Sequence, residues 1–205
     1  MKVTLETKKI KALLVCAAVG DLRYYLNGIL LEVGKDAAYL VATDGHRLLI
    51  DAVLPDAIKE RVTGLYILPR DECERIVKRN DKFKTFTLEL FDNTRNGDAQ
   101  FLASFMDNST LQFACVSGVF PEWRRVFPTL PLEELQCVAD LEYMGDMYKV
   151  AKILSGKEKL KTIPNYKQYV GRRLVFTFGE SGVIGLMMGM DAPDFKFPSI
   201  QPFKV

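Results

Sequence analysis

One pattern of predicted elements occurs three times along this 205-residue chain, and it restricts the fold more than any other feature. Each copy, called a unit below, consists of a strand, a helix and three further strands. The helices are predicted where apolar residues recur at helical spacing, in residues 7–18, 69–77 and 141–154. A unit of this size cannot bury its helix and its strands alone, so the units must pack against one another. The pattern predicts an α+β protein with antiparallel sheets.

The other elements of each unit are predicted as strands, because short runs rich in apolar residues lie between turn signals. Residues 155–171, which are rich in lysine and contain glycine and proline, are predicted to form an exposed loop. The predicted strands cover residues 3–5, 25–32, 37–43 and 47–54 in the first unit, 65–68, 84–90, 100–105 and 111–116 in the second, and 135–139, 174–178, 183–188 and 195–203 in the third.

Composition limits the classes of protein to which the chain can belong. With 48% hydrophobic and 26% charged residues, it has enough apolar material for a globular core. It contains no uncharged apolar run of about 18 residues, and its first residues do not resemble a secretory signal, so a cytoplasmic protein without a membrane partner is expected. The formal net charge is only +2, so any contact with nucleic acid must depend on where the charges are placed.

Residue types that carry catalysis or bind metals are sparse in the sequence. His46 is the single histidine, so it has no imidazole partner for a metal site, and no nucleophile lies beside it. No glycine-rich phosphate loop is present, and Asp140 at the start of the third helix suits a helix N-cap better than a metal ligand. We therefore expect no enzymatic activity, no catalytic residue, no metal and no cofactor. Free, buried thiols are expected for the widely spaced cysteines, Cys16, Cys73, Cys115 and Cys137.

Three sequence motifs carry a family resemblance: RYYLNG at residues 23–28, VATDGHRL at 41–48 and FPEWRRVFP at 120–128. Together they resemble the bacterial DNA polymerase III β sliding clamp family, specifically its middle domain. The resemblance implies a DNA-clamp fold built from the repeated strand-helix-strand-strand-strand units, with helices inside a ring and antiparallel sheets outside. It also implies two domains, a clamp domain of two units at residues 1–128 and a shortened one of about one unit at 129–205.

The resemblance further implies a hydrophobic groove that receives a short linear peptide from a polymerase or another partner. Gln201 and Phe203 stand where the family has methionines, so the preferred peptide sequence is expected to differ. Burial for packing alone stays an alternative explanation for Leu26 and Val126. The residues carried over to the groove are Leu26, Thr43, Gly45, His46, Arg47, Leu48, Pro121, Arg125, Val126, Ile200, Gln201, Pro202 and Phe203.

Basic residues recur in all three predicted helices, which in the clamp family face the DNA. For a single helix, a solvated face would explain them as well. Their recurrence favours attraction of the phosphate backbone, which is independent of base sequence and weakens with salt. The predicted DNA-binding residues are Lys8, Lys9, Lys11, Arg75, Lys78, Arg79, Lys149 and Lys152.

The function implied by the resemblance is that of a DNA sliding clamp, a polymerase processivity factor that encircles duplex DNA. Its partners would be double-stranded DNA, a DNA polymerase, other proteins with clamp-binding motifs, and further copies of the chain. A ring of about twelve units would need four chains of three units, so a homotetramer is favoured and a trimer comes next. The short chain suggests a phage or another mobile element. The alternative is a non-ring, clamp-like module that captures the clamp-binding peptides of host replication proteins.

Overall fold

The structure, a computed structural model, describes residues 1–79, 84–92, 99–127, 137–157, 160, 165–169 and 172–191. Within these residues the helices are α1 (Thr7–Leu13), α2 (Arg70–Arg79) and α3 (Leu141–Ser155). The strands are β1 (Lys2–Glu6), β2 (Gly28–Val33), β3 (Ala38–Thr43), β4 (Arg47–Val53), β5 (Ile58–Lys59), β6 (Gly64–Pro69), β7 (Thr85–Asp92), β8 (Gln100–Ser104), β9 (Thr110–Ala114), β10 (Cys137–Val138), β11 (Asn165–Tyr169), β12 (Arg173–Thr177), β13 (Val183–Met188) and β14 (Met190–Asp191).

All three predicted helices are present, but α1 ends at Leu13, several residues earlier than predicted. The amides of the turn after Leu13 bond the last helical carbonyls, with Val15 donating to Ala12 and with Cys16 and Ala17 donating to Leu13. The guanidinium of Arg70, at the start of α2, holds this turn by donating, over 2.9 to 3.3 Å, to the carbonyl oxygens of Leu14, Ala17 and Ala18. The local sequence does not reveal this contact, because Arg70 belongs to the second unit.

Helix α3 has a capping residue at each end. The Asp140 carboxylate accepts hydrogen bonds from the amides of Glu142 at 2.8 Å and Tyr143 at 3.3 Å, which confirms the predicted N-cap. At the other end Gly156 adopts the left-handed conformation with a φ of 66°, which glycine reaches without a steric penalty. Local sequence therefore determines both ends of this helix.

Most strands follow the predicted ones. The predicted strand at 25–32 begins only at Gly28, because Tyr24–Leu26 form a 3₁₀ turn, and the short strands β5 and β14 were not predicted. The predicted exposed loop at residues 155–171 is wrong in part, because Asn165–Tyr169 form β11 and pair with β12. The ring of Tyr166 lies 5.4 Å from the ring of Phe176, which helps to hold this polar strand on the sheet. The predicted strand at residues 195–203 lies outside the described residues.

The first two units exchange their first strands. Strand β1 of the first unit pairs with β7 in a five-stranded sheet of order β5-β1-β7-β8-β9. Strand β6 of the second unit pairs with β2 of the first. Each unit thus completes the sheet of the other, so the two units are interlocked. The domain boundary near residue 128 stays a prediction.

The third unit joins the first through a shared sheet. Strands β4 and β13 pair antiparallel, with Leu48 opposite Leu186. The result is a seven-stranded sheet of order β11-β12-β13-β4-β3-β2-β6. Helix α1 packs against both α2 and α3, so this strand pairing is accompanied by contact between helices of the first and third units.

Apolar clusters lie on both faces of the seven-stranded sheet, which its alternating side chains explain. On β2, Ile29, Leu31 and Val33 belong to the main core, together with buried residues of the three helices. Leu30 points to the opposite face, called the second face below, where a smaller cluster includes Trp123. The segment 118–127 therefore covers a part of the sheet that would otherwise be open to water.

The cysteines whose side chains the structure describes fit the sequence prediction, which stays a prediction for Cys137. Cys16, Cys73 and Cys115 are buried, and none of these three is in a disulfide. Burial raises the pKa of the Cys16 thiol to about 12 and also raises that of Cys73, which keeps both thiols protonated. None of the helices in the described part of the chain has the length and apolar character that crossing a lipid bilayer requires.

Candidate peptide-binding site

A cavity of about 300 Å³ opens on the second face of the seven-stranded sheet. Among the predicted peptide-binding residues that the structure describes, Arg125 is exposed and does not line this cavity. The others all line it, namely Leu26, Thr43, Gly45, His46, Arg47, Leu48, Pro121 and Val126. Three segments that are distant in sequence thus meet around one space. Outside the described residues lie the remaining predicted ones, Ile200, Gln201, Pro202 and Phe203.

Sequence reasoning missed five further residues of the lining: Arg23, Glu122, Trp123, Leu186 and Met188. Arg23, Glu122 and Trp123 lie within the sequence motifs that carry the resemblance, so the neighbouring predicted residues could have indicated that these three also line the cavity. Leu186 and Met188 belong to β13, and only the β4–β13 pairing brings them to the cavity. No local signal in the sequence predicts that pairing.

The floor of the cavity is apolar. The side chains of Leu26, Leu48 and Leu186 are almost fully buried, and that of Trp123 is 8% exposed. These residues also belong to the buried cluster on the second face. Leu26 therefore both packs in this cluster and lines the cavity. An apolar floor of this kind suits a leucine or phenylalanine side chain.

The hairpin between β3 and β4 is held by its own side chains. The Asp44 carboxylate accepts hydrogen bonds from the amides of His46 at 2.9 Å and Arg47 at 2.8 Å. The Thr43 hydroxyl donates to the carbonyl of Arg47 and accepts from the amide of Gly45. Gly45 has a φ of 94°, which few other residues tolerate. This hairpin places the exposed His46 at the cavity rim.

Arg47 links the cavity to helix α3. Its guanidinium donates to the carboxylates of Asp44 and Asp146, and the Tyr143 ring centroid lies 4.5 Å from its central carbon. Burial raises the pKa of Asp146, but hydrogen bonds from Lys149 and Arg47 outweigh it, so the pKa lies below its ordinary value. Asp146 is therefore charged near neutral pH and holds Arg47 across the boundary between the first and third units.

Most of the predicted DNA-binding side chains are exposed on the helices, as a contact with DNA requires. Several have acidic neighbours, such as Glu6 at 3.1 Å from Lys8 and Asp146 at 3.0 Å from Lys149. Such exposed pairs are weak, so these cations stay available to phosphate groups. The exposed members of the set are Lys8, Lys11, Arg75, Lys78, Arg79, Lys149 and Lys152.

Lys9 differs from the other predicted DNA-binding residues. Its ammonium donates a hydrogen bond to the Asp51 carboxylate at 2.8 Å, and the two side chains are only 14% and 3% exposed. Burial raises the pKa of Asp51 even though Lys9 counteracts it. Lys9 therefore has a structural role, because its ion pair with Asp51 joins α1 to β4. DNA contact by Lys9 stays a prediction.

A larger cleft of about 730 Å³ lies beside the cavity, between α1 and α3. It shares Arg23, His46 and Arg47 with the cavity, and Lys11 and Lys149 line its helical side. Among the described residues, no group of three or more histidine, cysteine, aspartate or glutamate side chains is placed to hold a metal ion.

The fold is that of the DNA-clamp class. Two solved clamp structures each match the fold over 94% of this chain. A DNA polymerase sliding clamp from Pseudomonas aeruginosa has a TM-score of 0.64 and 18% sequence identity, and the match covers 67% of its chain. DNA polymerase III subunit beta from Borrelia burgdorferi has a TM-score of 0.67 and 15% sequence identity, and the match covers 63% of its chain. At these identities the likeness shows the fold alone.

The sequence places the chain in a family. Residues 2–122 match the family model of the DNA polymerase III beta subunit, central domain, and the chain belongs to this family. Both the resemblance and the fold class expected from the sequence are therefore confirmed.

Curated relatives carry the name beta sliding clamp. The one from Proteus mirabilis is 32% identical over 139 residues, covering 67% of this chain and 35% of the relative. The one from Escherichia coli K12 is 33% identical over 147 residues, covering 71% and 37%. The chain thus spans about a third of the length of these relatives.

The buried ion pair predicts a difference between two adjacent lysines. Replacing Lys9 with alanine should lower the free energy of unfolding by about 3 kcal/mol or more, because it leaves Asp51 buried without a partner. Urea denaturation near neutral pH measures this loss. It should be smaller at acid pH, because protonated Asp51 no longer needs the lysine charge.

Replacing Lys8 with alanine is the matched control. Lys8 is exposed, and its pair with Glu6 should contribute at most about 1 kcal/mol. Equal effects of the two substitutions would contradict a structural task for Lys9.

Proposed function

We propose that this chain is a DNA sliding clamp that encircles duplex DNA and holds a polymerase by a peptide bound in the cavity. The observation that carries the proposal is the cavity itself, in which the three family segments meet on an apolar floor with a polar rim. Its volume of about 300 Å³ suits a few apolar side chains of a linear peptide. In this role the chain binds and positions its partners and catalyses no reaction.

The exposed cations of the three helices support the DNA part of the proposal. Lysine and arginine attract phosphate groups without reading bases, which leaves a ring free to move along the duplex. The non-ring alternative, a module that captures clamp-binding peptides, needs the cavity but not these cations. Their presence on α1, α2 and α3 favours the clamp.

For the ring we propose a homotetramer, with a trimer as the next possibility. The β4–β13 pairing supports a ring of joined sheets, because it shows how the sheets of two units continue edge to edge within one chain. Strand β9 ends the five-stranded sheet within the described residues, so it offers an edge for a further copy. Head-to-tail contacts of this kind close when the rotation between copies is right.

The mass in solution tests the ring. Light scattering on the purified chain should give four times the chain mass of 23.2 kDa, or three times for a trimer. A mass of one chain at working concentration would contradict self-association into a ring.

His46 tests the cavity. Replacing His46 with alanine should weaken binding of a synthetic peptide containing leucine and phenylalanine by about tenfold, which a contact of roughly 1.4 kcal/mol gives. Fluorescence anisotropy of the labelled peptide measures the affinity. Melting should be nearly unchanged, since the side chain is exposed. A large loss of thermal stability would instead make His46 a structural residue. Lys8→Ala, which removes an exposed cation on a helix outside the cavity, is the control and should bind the peptide normally.

Three exposed lysines, one on each helix, test the contact with DNA. Replacing Lys8, Lys78 and Lys152 together with glutamine should reduce retention on closed circular DNA and flatten its dependence on salt. Peptide affinity should stay unchanged, because none of the three lines the cavity. A clamp that encircles the duplex should also dissociate from the DNA when the circular molecule is cut. Equal retention on closed and linear DNA would favour the non-ring module.

A further inference from the structure

Glu32 lies on the second face of the sheet, beside one wall of the cavity. The wall is a short 3₁₀ turn, Trp123–Val126, whose N-cap residue, Glu122, makes no side-chain capping bond. Turns of this kind have poor hydrogen-bond geometry and are rarely stable alone. Pro121, Glu122, Trp123 and Val126 of this segment all line the cavity. The shape of the cavity therefore depends on what holds the turn against the sheet.

The Glu32 carboxylate makes three hydrogen bonds to the turn. The indole Nε1 of Trp123 donates to Glu32 Oε2 at 2.9 Å. The guanidinium of Arg124 donates to both carboxylate oxygens, at 3.0 Å from Nη1 and 2.8 Å from Nη2. A forked pair of this type fixes direction as well as distance. Only 18% of the Glu32 side chain is exposed, whereas 48% of the Arg124 side chain is, so the bond to the Trp123 indole is the better shielded from water.

Aromatic contacts complete the arrangement. Tyr39 stands opposite Glu32 in the β2–β3 register, and its ring meets that of Trp123 edge-on at 5.5 Å. The guanidinium carbon of Arg124 lies 4.1 Å from the centre of the Trp123 ring. Arg124 is thus held between the carboxylate and the indole, so a change at Glu32 affects both of its contacts.

We propose that Glu32 is a positioning residue for the peptide-binding cavity: through Trp123 and Arg124 it holds the wall segment at the distance from β4 and β13 that a bound peptide requires. This inference rests on the proposed function, because it concerns the same cavity. Glu32 itself does not line the cavity. It would act on a peptide only through the turn. Leu30, two residues earlier on the same face of β2, packs into the apolar cluster. Holding the turn explains why a charged residue follows it on that face.

The test uses the chain's single tryptophan. Because Trp123 lines the cavity, its emission reports the wall in the free protein, without any ligand. Replacing Glu32 with alanine removes all three hydrogen bonds, so the emission should shift to longer wavelength as the indole gains water. Affinity for a leucine- and phenylalanine-containing peptide without tyrosine or tryptophan should fall by about tenfold, as expected for lost bonds to a charged group.

Glu32→Gln is the conservative variant. Its amide oxygen still accepts the Trp123 indole hydrogen but cannot match the forked Arg124 pair. It should restore most of the native emission and part of the affinity. Because it alters little volume, it also keeps the proposal testable if the alanine variant fails to fold.

Glu89→Ala is the matched control, since Glu89 is also a strand glutamate with a cationic partner, Lys2 at 3.2 Å, but lies on β7. It should change neither emission nor peptide affinity. The proposal is overturned if both Glu32 variants keep the native emission, or if both bind the peptide with the native affinity, even with a lower melting temperature.

The two proposals fail in different ways. If the native protein binds no such peptide, the proposed function fails, while the emission of the variants still decides whether Glu32 holds the wall. If the native protein binds the peptide and the Glu32 variants bind it equally well, the positioning task fails and the proposed function stands.

Discussion

The antiparallel pairing of β4 with β13 is the contact on which the rest of the arrangement depends. It carries the sheet of the first unit into the third and places Leu186 opposite Leu48 on the cavity floor. It is accompanied by contact of α3 with α1, and α3 supplies the carboxylate of Asp146 to Arg47. A slip of one residue in this register would turn Leu186 to the other face of the sheet and open the floor.

Charged side chains in this protein serve different tasks according to their burial. The pairs Lys9–Asp51, Arg47–Asp146 and Glu32–Arg124 each join elements that are distant in sequence, and at least one partner of each pair is largely shielded from water. Breaking such a pair leaves a charge that water cannot reach fully, so these pairs hold helices and turns in position. The exposed lysines of the helices stay hydrated, which suits loose attraction to phosphate.

Much of this fold follows from sequence pattern. Helical spacing and the Asp140 cap located α3, and the repeat predicted an α+β protein with antiparallel sheets. The early end of α1 and the strand at 165–169 could not be predicted, because Arg70, from another unit, holds the turn that follows the helix and β12 pairs with the strand. At the site, the three sequence motifs indicated eight of the residues that line the cavity, whereas peptide binding there stays a prediction.

By itself, the sequence determined the family, the repeated unit and the TDGHR hairpin, because hydrophobic periodicity and turn chemistry act over a few residues. Only the tertiary structure decided which strands pair, that Leu186 and Met188 complete the cavity, and that Lys9 is committed to Asp51. These outcomes depend on contacts between residues far apart in the chain. Their energies come from burial and hydrogen bonding that exist only once the units have packed together.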